Sequence, residues 1–306
     1  MERNDRPGLA GRQPEIGAPA RGVGLQGRVT RRYWGWMGVW AVLCGAVATG
    51  ALRWDAEVLL PLALVLLLSE LAWGSLWDLS TGVEWFRLLS SRPAGGYPTR
   101  FRGLPYTLPH APGGRLARAW GRTMHWWREV FWPAAGLALM GGLAALALAV
   151  VLSLLLPGRM RPLYAALVAL LSLGVLYGKT GRPFFAGQAL VQVGLGWLAG
   201  SLVLASDTRD AAALALSFSV VAWGALRADR GLWGGRWLLN GGLLLVVGLM
   251  IAWNQPLVAG LLALLSFGPL ALQIPSADGS EARTGFLERL APWLMASMLV
   301  AAVGLL

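Results

Sequence analysis

The sequence predicts an all-α fold, a polytopic membrane helical bundle of about nine transmembrane helices, on three observations. The 306 residues are 56% hydrophobic and only 13% charged, and typical globular chains use about 25% charged residues to cover a compact surface. Apolar runs of the length that crosses a hydrocarbon core, about 20 residues, recur along the chain. The charge is also lopsided, with 26 Lys+Arg against 15 Asp+Glu for a net +11, and the excess falls on alternate loops. A lone cysteine, Cys44, excludes an internal disulfide framework, and with two histidines, His110 and His125, a zinc or haem site has almost no ligands. Cys44 sits in an apolar run and reads as packing.

Residues 1–32 are rich in Gly, Pro and Arg without hydrophobic periodicity and read as a disordered basic cytoplasmic tail. Arg31 and Arg32 before an apolar run faintly resemble a twin-arginine signal, but an uncleaved first span anchored by the pair is the stronger reading. The transmembrane region, 33–306, divides into spans at about Tyr33 to Leu52, Ala56 to Trp77, Phe131 to Leu156, Leu163 to Tyr177 and Phe184 to Ala205. It continues at Ala211 to Leu226, Trp237 to Trp253, Pro256 to Ile274 and Leu290 to Leu306. Turn and interface residues mark the breaks, among them Pro157-Gly158-Arg159 and Asn254-Gln255-Pro256. Trp34, Trp54, Trp77, Trp132, Trp237 and Trp253 lie at span ends, where an aromatic belt belongs.

With the tail inside and sides alternating, 22 basic residues fall inside and only Arg53, Arg159, Arg161 and Arg209 outside. The positive-inside rule then gives a multi-pass protein of the cell inner (plasma) membrane, N-terminus cytoplasmic and C-terminus on the outer side. The same bias explains the basic charge through topology and membrane lipid, with no nucleic acid. The longest segment between spans, about 79–130, is an expected cytoplasmic loop. Within it Arg115 to Glu129, with Trp120, Trp126 and Trp127, suits a helix lying in the headgroup plane, the alternative being a substrate lid.

Ionisable groups inside spans are costly and point to function. Glu70 lies eight residues before Asp78 on the second span; steps of 100° set them about 80° apart, so that both can face one interior cavity. Gln188 and Gln192 form an i, i+4 polar stripe on the fifth span. Interhelical hydrogen bonding is the plainer reading of the glutamines, while for Glu70 a satisfied, neutral carboxyl stands evenly beside the functional reading. At the inner span ends stand Asp78, the turn from Tyr177 to Arg182, and Arg227, Asp229 and Arg230. Acids and bases at one membrane face above an apolar interior suit an amphiphile with a charged head and a long tail, such as a polyprenyl diphosphate. Acids would hold magnesium and Lys/Arg would meet phosphate oxygens.

This architecture resembles the UbiA-type superfamily of intramembrane prenyltransferases, nine-helix bundles with acid-rich motifs after the second and sixth helices. At the family's first motif this chain has Gly74, Ser75, Asp78 and Gly82, followed by Arg92-Pro93. The run Tyr177-Gly178-Lys179-Thr180-Gly181-Arg182-Pro183 is similar to the family's diphosphate-contacting turn, and Asp229 stands for the second acidic motif. The resemblance implies Mg-dependent transfer of a polyprenyl group to an aromatic or similar acceptor. Asp78 and Asp229 would be catalytic metal ligands, and Arg92, Tyr177, Lys179, Arg182, Arg230, Glu70, Gln188 and Gln192 would line the substrate. With one acid at each motif, a noncatalytic scaffold or an isoprenoid-, quinone- or pigment-binding subunit, with a possible membrane-complex partner, stays open. So does a transporter with Glu70 as its ion site.

Overall fold

Lipid offers no water to backbone N–H and C=O groups, so a spanning chain must satisfy them internally. Every element among the described residues is accordingly a helix. The computed structural model describes residues 33–91, 112–205, 208–273 and 285–306. The expected tail 1–32, Arg92 and His110 lie outside the described residues.

The helices are α1 (Trp34–Val47), α2 (Ala56–Gly82), α3 (Trp85–Ser90), α4 (Pro112–Leu155), α5 (Gly158–Gly178) and α6 (Phe185–Leu204). They continue with α7 (Arg209–Asp229), α8 (Gly235–Ala252), α9 (Pro256–Leu272) and α10 (Phe286–Val303). Seven are long and apolar enough to cross a membrane, namely α2, α4, α5, α6, α7, α8 and α10, while α1 and α9 are shorter apolar helices. Leucines such as Leu154, Leu244 and Leu257 are exposed on helix surfaces, as lipid-facing side chains are. This is the architecture of a multi-pass helical membrane protein.

Several expected boundaries move, for local reasons. The first helix stops at Val47, five residues short of the expected Leu52, where Thr49 Oγ1 donates to the Ala46 carbonyl and Gly50 turns to φ +66°. The second runs on past Trp77 to Gly82. The expected amphipathic piece and third span form one unbroken helical run, α4, joined by a π turn at Trp127–Phe131. The described ends of the segment 79–130 are helical, with a helix where the amphipathic piece Arg115 to Glu129 was expected.

The chain divides into two units, described residues 112–136 and described residues 33–91 with 137–306. In the smaller one, Trp126, Trp127 and Trp132 gather around the π turn. The Trp127 ring stacks on Phe131 at 4.5 Å between centroids, and Trp126 lies 5.2 Å from the same ring.

In the larger unit, α1 and α6 form a shared wall between two apolar cores. On one side Met37, Ala41 and Cys44 of α1 and Phe185, Ala189, Val193 and Trp197 of α6 pack with α7, α8, α9 and α10. On the other, Val42 and Ala46 of α1 and Val191, Leu195, Ala199 and Val203 of α6 pack with α2, α5 and the end of α4. The four α6 residues of the second core recur every fourth position, one helical stripe, and Ala189, Val193 and Trp197 form another.

Without a hydrophobic drive between helices in lipid, close packing has to come from small residues. Gly45 of α1 lies on the Trp197 carbonyl, Gly200 of α6 lies on the Val42 carbonyl, and Gly196 faces the Gly38 carbonyl. Ser201 Oγ donates to the Gly45 carbonyl at 3.0 Å. Gly224, Gly235 and Gly242 do the same for α7 and α8, each resting on backbone of the facing helix. Polar links fasten the rest. Trp40 Nε1 donates to Met295 O at 2.8 Å, Asn240 and Gln273 exchange amide bonds at 2.8 and 3.2 Å, and Arg159 donates to Val203 O at the α6 C-terminus, at 2.8 Å.

A side chain at Gly200 has no room except by parting two backbones, so Gly200→Leu should cost about 3 kcal/mol, the upper range for overpacking. Ser201→Ala should cost only about 0.6 kcal/mol, typical of one interhelical hydrogen bond in a membrane. Unfolding of the two variants in detergent micelles measures the difference, and equal losses would contradict the backbone contact.

Candidate functional site

At one end of the larger unit, α2 and α5 finish and α6 begins. Gly174 of α5 lies against Trp77, Ser80 and Thr81 of α2, and Ser80 and Thr81 both donate to the Trp77 carbonyl, at 2.8 and 2.9 Å. Trp77 is buried and its ring stands 6.0 Å from that of Phe184, just before α6. Tyr177 stacks on the same Phe184 at 4.8 Å with an interplanar angle of 19°. Three chain segments therefore meet on one aromatic ring.

The turn from Tyr177 to Arg182 hangs on that ring. Thr180 Oγ1 donates to the Tyr177 carbonyl at 2.7 Å, beside the Thr180 backbone N–H that donates to the same oxygen at 2.9 Å, closing the α5 terminus. Gly181, at φ +66°, reverses the chain as only glycine does without strain. Lys179 is exposed, with Nζ 5.8 Å from the centroid of the Phe86 ring on α3. Arg182 is exposed at the end of the turn, and Asp78 is exposed beside buried Trp77. The structure thus brings Asp78, Tyr177, Lys179 and Arg182 to adjoining helix ends, two cations and an acid above an aromatic floor.

Asp229 and Arg230 lie at the same end of the bundle, since α7 runs antiparallel to α6. Gly194 meets Ser219 and Trp197 stacks on Phe218 at 5.5 Å. The start of α6 contacts both α2 and α7, and each such contact spans about one interhelical distance, ~8–10 Å. Asp229 has a further partner there, because the backbone N–H of Leu287 in the first turn of α10 donates to its carboxylate. A carboxylate on an orphan amide at a helix N-terminus is a cap that also meets the positive end of the dipole. After Asp229 the chain turns tightly, with Gly231 at φ +66°, Leu232 N–H on the Arg227 carbonyl at 2.9 Å, and Arg227 on Trp233 O at 2.9 Å. Among the described residues no three His, Cys, Asp or Glu side chains gather as metal ligands do.

Glu70 belongs to a different place. It sits in a π turn of α2, Leu68–Trp73, and its Oε1 lies where a side chain on Gly38 of α1 would be, beside the Gln192 carbonyl. Gln192 lies in a second π turn, Leu190–Gly194, and Gln188 Nε2 reaches its Oε1 at 3.5 Å. Asp78 lies two turns further on, about 12 Å along the helix at 1.5 Å per residue, and is exposed where Glu70 is half-buried against α1.

Sequence reasoning missed Phe184, Phe86 and Gly38. The two phenylalanines carry the signal of aromatics at span ends, while nothing in the sequence pairs Gly38 with Glu70. It also passed over Asn240 and Gln273, polar residues inside apolar runs. Comparison with protein-family models, curated proteins and solved structures finds no match.

If Asp229 is a helix cap, Asp229→Asn should keep the stability of the protein, since the amide oxygen still accepts, while Asp229→Ala should lose about 1 kcal/mol. Unfolding in detergent checks both, and an alanine variant as stable as the parent contradicts the cap.

Proposed function

We propose that this chain is an inner-membrane protein of nine spans, N-terminus cytoplasmic and C-terminus outside, that binds an isoprenoid amphiphile, foremost a polyprenyl diphosphate. The supporting observation is the meeting of the Tyr177–Arg182 turn with the Asp78 end of α2 around Phe184. Lys179 and Arg182 hold the anionic head by charge-assisted hydrogen bonds, and Trp77, Tyr177 and Phe184 lie where the chain of the ligand enters the apolar bundle. Seven helices of spanning length with two shorter apolar ones accommodate the nine-span count, and the 22 inside basic residues give the orientation.

The resemblance to UbiA-type prenyltransferases makes prenyl transfer the expected chemistry. The allylic C–O bond breaks, diphosphate leaves, and an aromatic or similar acceptor forms the new C–C bond and loses a proton. Lys179 and Arg182 stabilise negative charge on the departing diphosphate, the electrostatic contribution that such a step needs most. A magnesium ion, if used, would neutralise diphosphate charge with Asp78 as its protein ligand beside phosphate oxygens and water. Asp229 could keep the Leu287 amide on one lone pair and still offer another to such an ion.

One acid at each motif, Asp78 and Asp229, favours a second reading, a noncatalytic subunit that binds an isoprenoid, quinone or pigment tail. The two separate in one experiment on purified protein. Both require binding of labelled polyprenyl diphosphate, weakened about tenfold or more by Lys179→Ala or Arg182→Ala, as loss of a charged hydrogen bond of about 1.5–3 kcal/mol implies. Magnesium-dependent transfer to aromatic acceptors supports the enzyme, and binding without transfer supports the subunit. Binding unchanged in the double variant would overturn the site.

A further inference from the structure

The first part of α4, Pro112–Trp126, has an apolar face that protein leaves open. At about 100° per residue, Arg115, Arg118 and Arg122 fall within roughly 60° of one another, and Leu116, Trp120 and Met124 within roughly 80° on the opposite side. The apolar face is exposed, with Leu116 at 76%, Trp120 at 59% and Met124 at 40%, and Trp127 continues it at 38%. Arg115 and Arg122 are exposed as well. Large apolar side chains left open on one face and arginines on the other are the pattern of a helix at a membrane surface.

We propose that Pro112–Trp126 is an anionic-lipid-binding surface helix that seats Leu116, Trp120, Met124 and Trp127 in the leaflet and keeps its arginines on the water side, within the field of the acidic headgroups. The charge selects this occupant. Three arginines lie across the helix from the apolar strip in a chain of net charge +11, and acidic lipid attracts each cation held within a Debye length of its surface by about 1 kcal/mol. The helix also continues into the apolar run Trp132–Leu155, which holds it next to a bilayer. The junction is built to bend. Trp127–Phe131 is a π turn, and Pro133 lacks the N–H that would bond to the Glu129 carbonyl, so the ladder is weakest between the surface and spanning parts.

The test uses full-length protein in a Cys44→Ala background, with nitroxide labels at Leu116→Cys or Trp120→Cys on one face and Arg115→Cys or Arg122→Cys on the other. Leu154→Cys on the exposed apolar surface of the spanning part controls for insertion. In phosphatidylglycerol-containing vesicles, positions 116 and 120 should favour collisions with oxygen over a water-soluble nickel chelate, as 154 does, while 115 and 122 favour the chelate. In phosphatidylcholine alone the preference at 116 and 120 should fall severalfold. Chelate access at 116 and 120 equal to that at 115 and 122 overturns the proposal. Protection of 116 and 120 from both reagents also overturns it, in favour of a protein partner on that face.

Discussion

The contact on which the larger unit depends is that of two backbones, α1 on α6. Gly45, Gly196 and Gly200 remove the side chains that would hold the helices apart, and Ser201 closes the gap with a hydrogen bond to Gly45 O. Inside lipid, apolar burial does not favour one helix over a lipid tail, so dispersion over a close contact and a few hydrogen bonds must supply the association. Both apolar cores lean on this pair. Displacing α6 would carry with it Phe184 and Gln192, on which the candidate residues at the bundle end and in its middle are built.

Position at the bundle end follows from that wall. Because α6 is fixed, Phe184 at its start is a fixed ring, and Trp77 from α2 and Tyr177 from α5 find their places against it. Their neighbours Asp78, Lys179 and Arg182 are then presented in water at the mouth of an apolar bundle. Charges held outside on apolar supports avoid the cost of burial. Glu70 shows the opposite arrangement, a carboxyl taken into the bundle at a place that only a glycine on the facing helix makes possible.

Much of this was legible in the sequence. Apolar runs depend on solvent alone, and the start of α2 and both ends of α6, to within one residue, followed from them. Helix ends were less legible because they depend on single side chains, as with Thr49 and Gly50 ending α1. The neighbourhood of Tyr177, Lys179 and Arg182 was visible as a turn. Its aromatic support was not, since Trp77, Phe86 and Phe184 lie in three segments and their meeting depends on helix packing. Asp229 was read as a ligand from its place after a span, and the amide that engages it comes from Leu287, 58 positions later in the chain. That Glu70 seats against Gly38 while Asp78 is exposed depends on how α1 packs on α2, which residue spacing along one helix does not reveal.

The central claim, that the ends of α2 and α5 and the start of α6 hold the head of an isoprenoid diphosphate, is tested most directly by photo-crosslinking. A polyprenyl diphosphate carrying a diazirine near its first isoprene unit should label peptides containing Trp77, Tyr177 or Phe184, and excess inorganic diphosphate should suppress the labelling. Labelling confined to other helices, or unaffected by diphosphate, would contradict it.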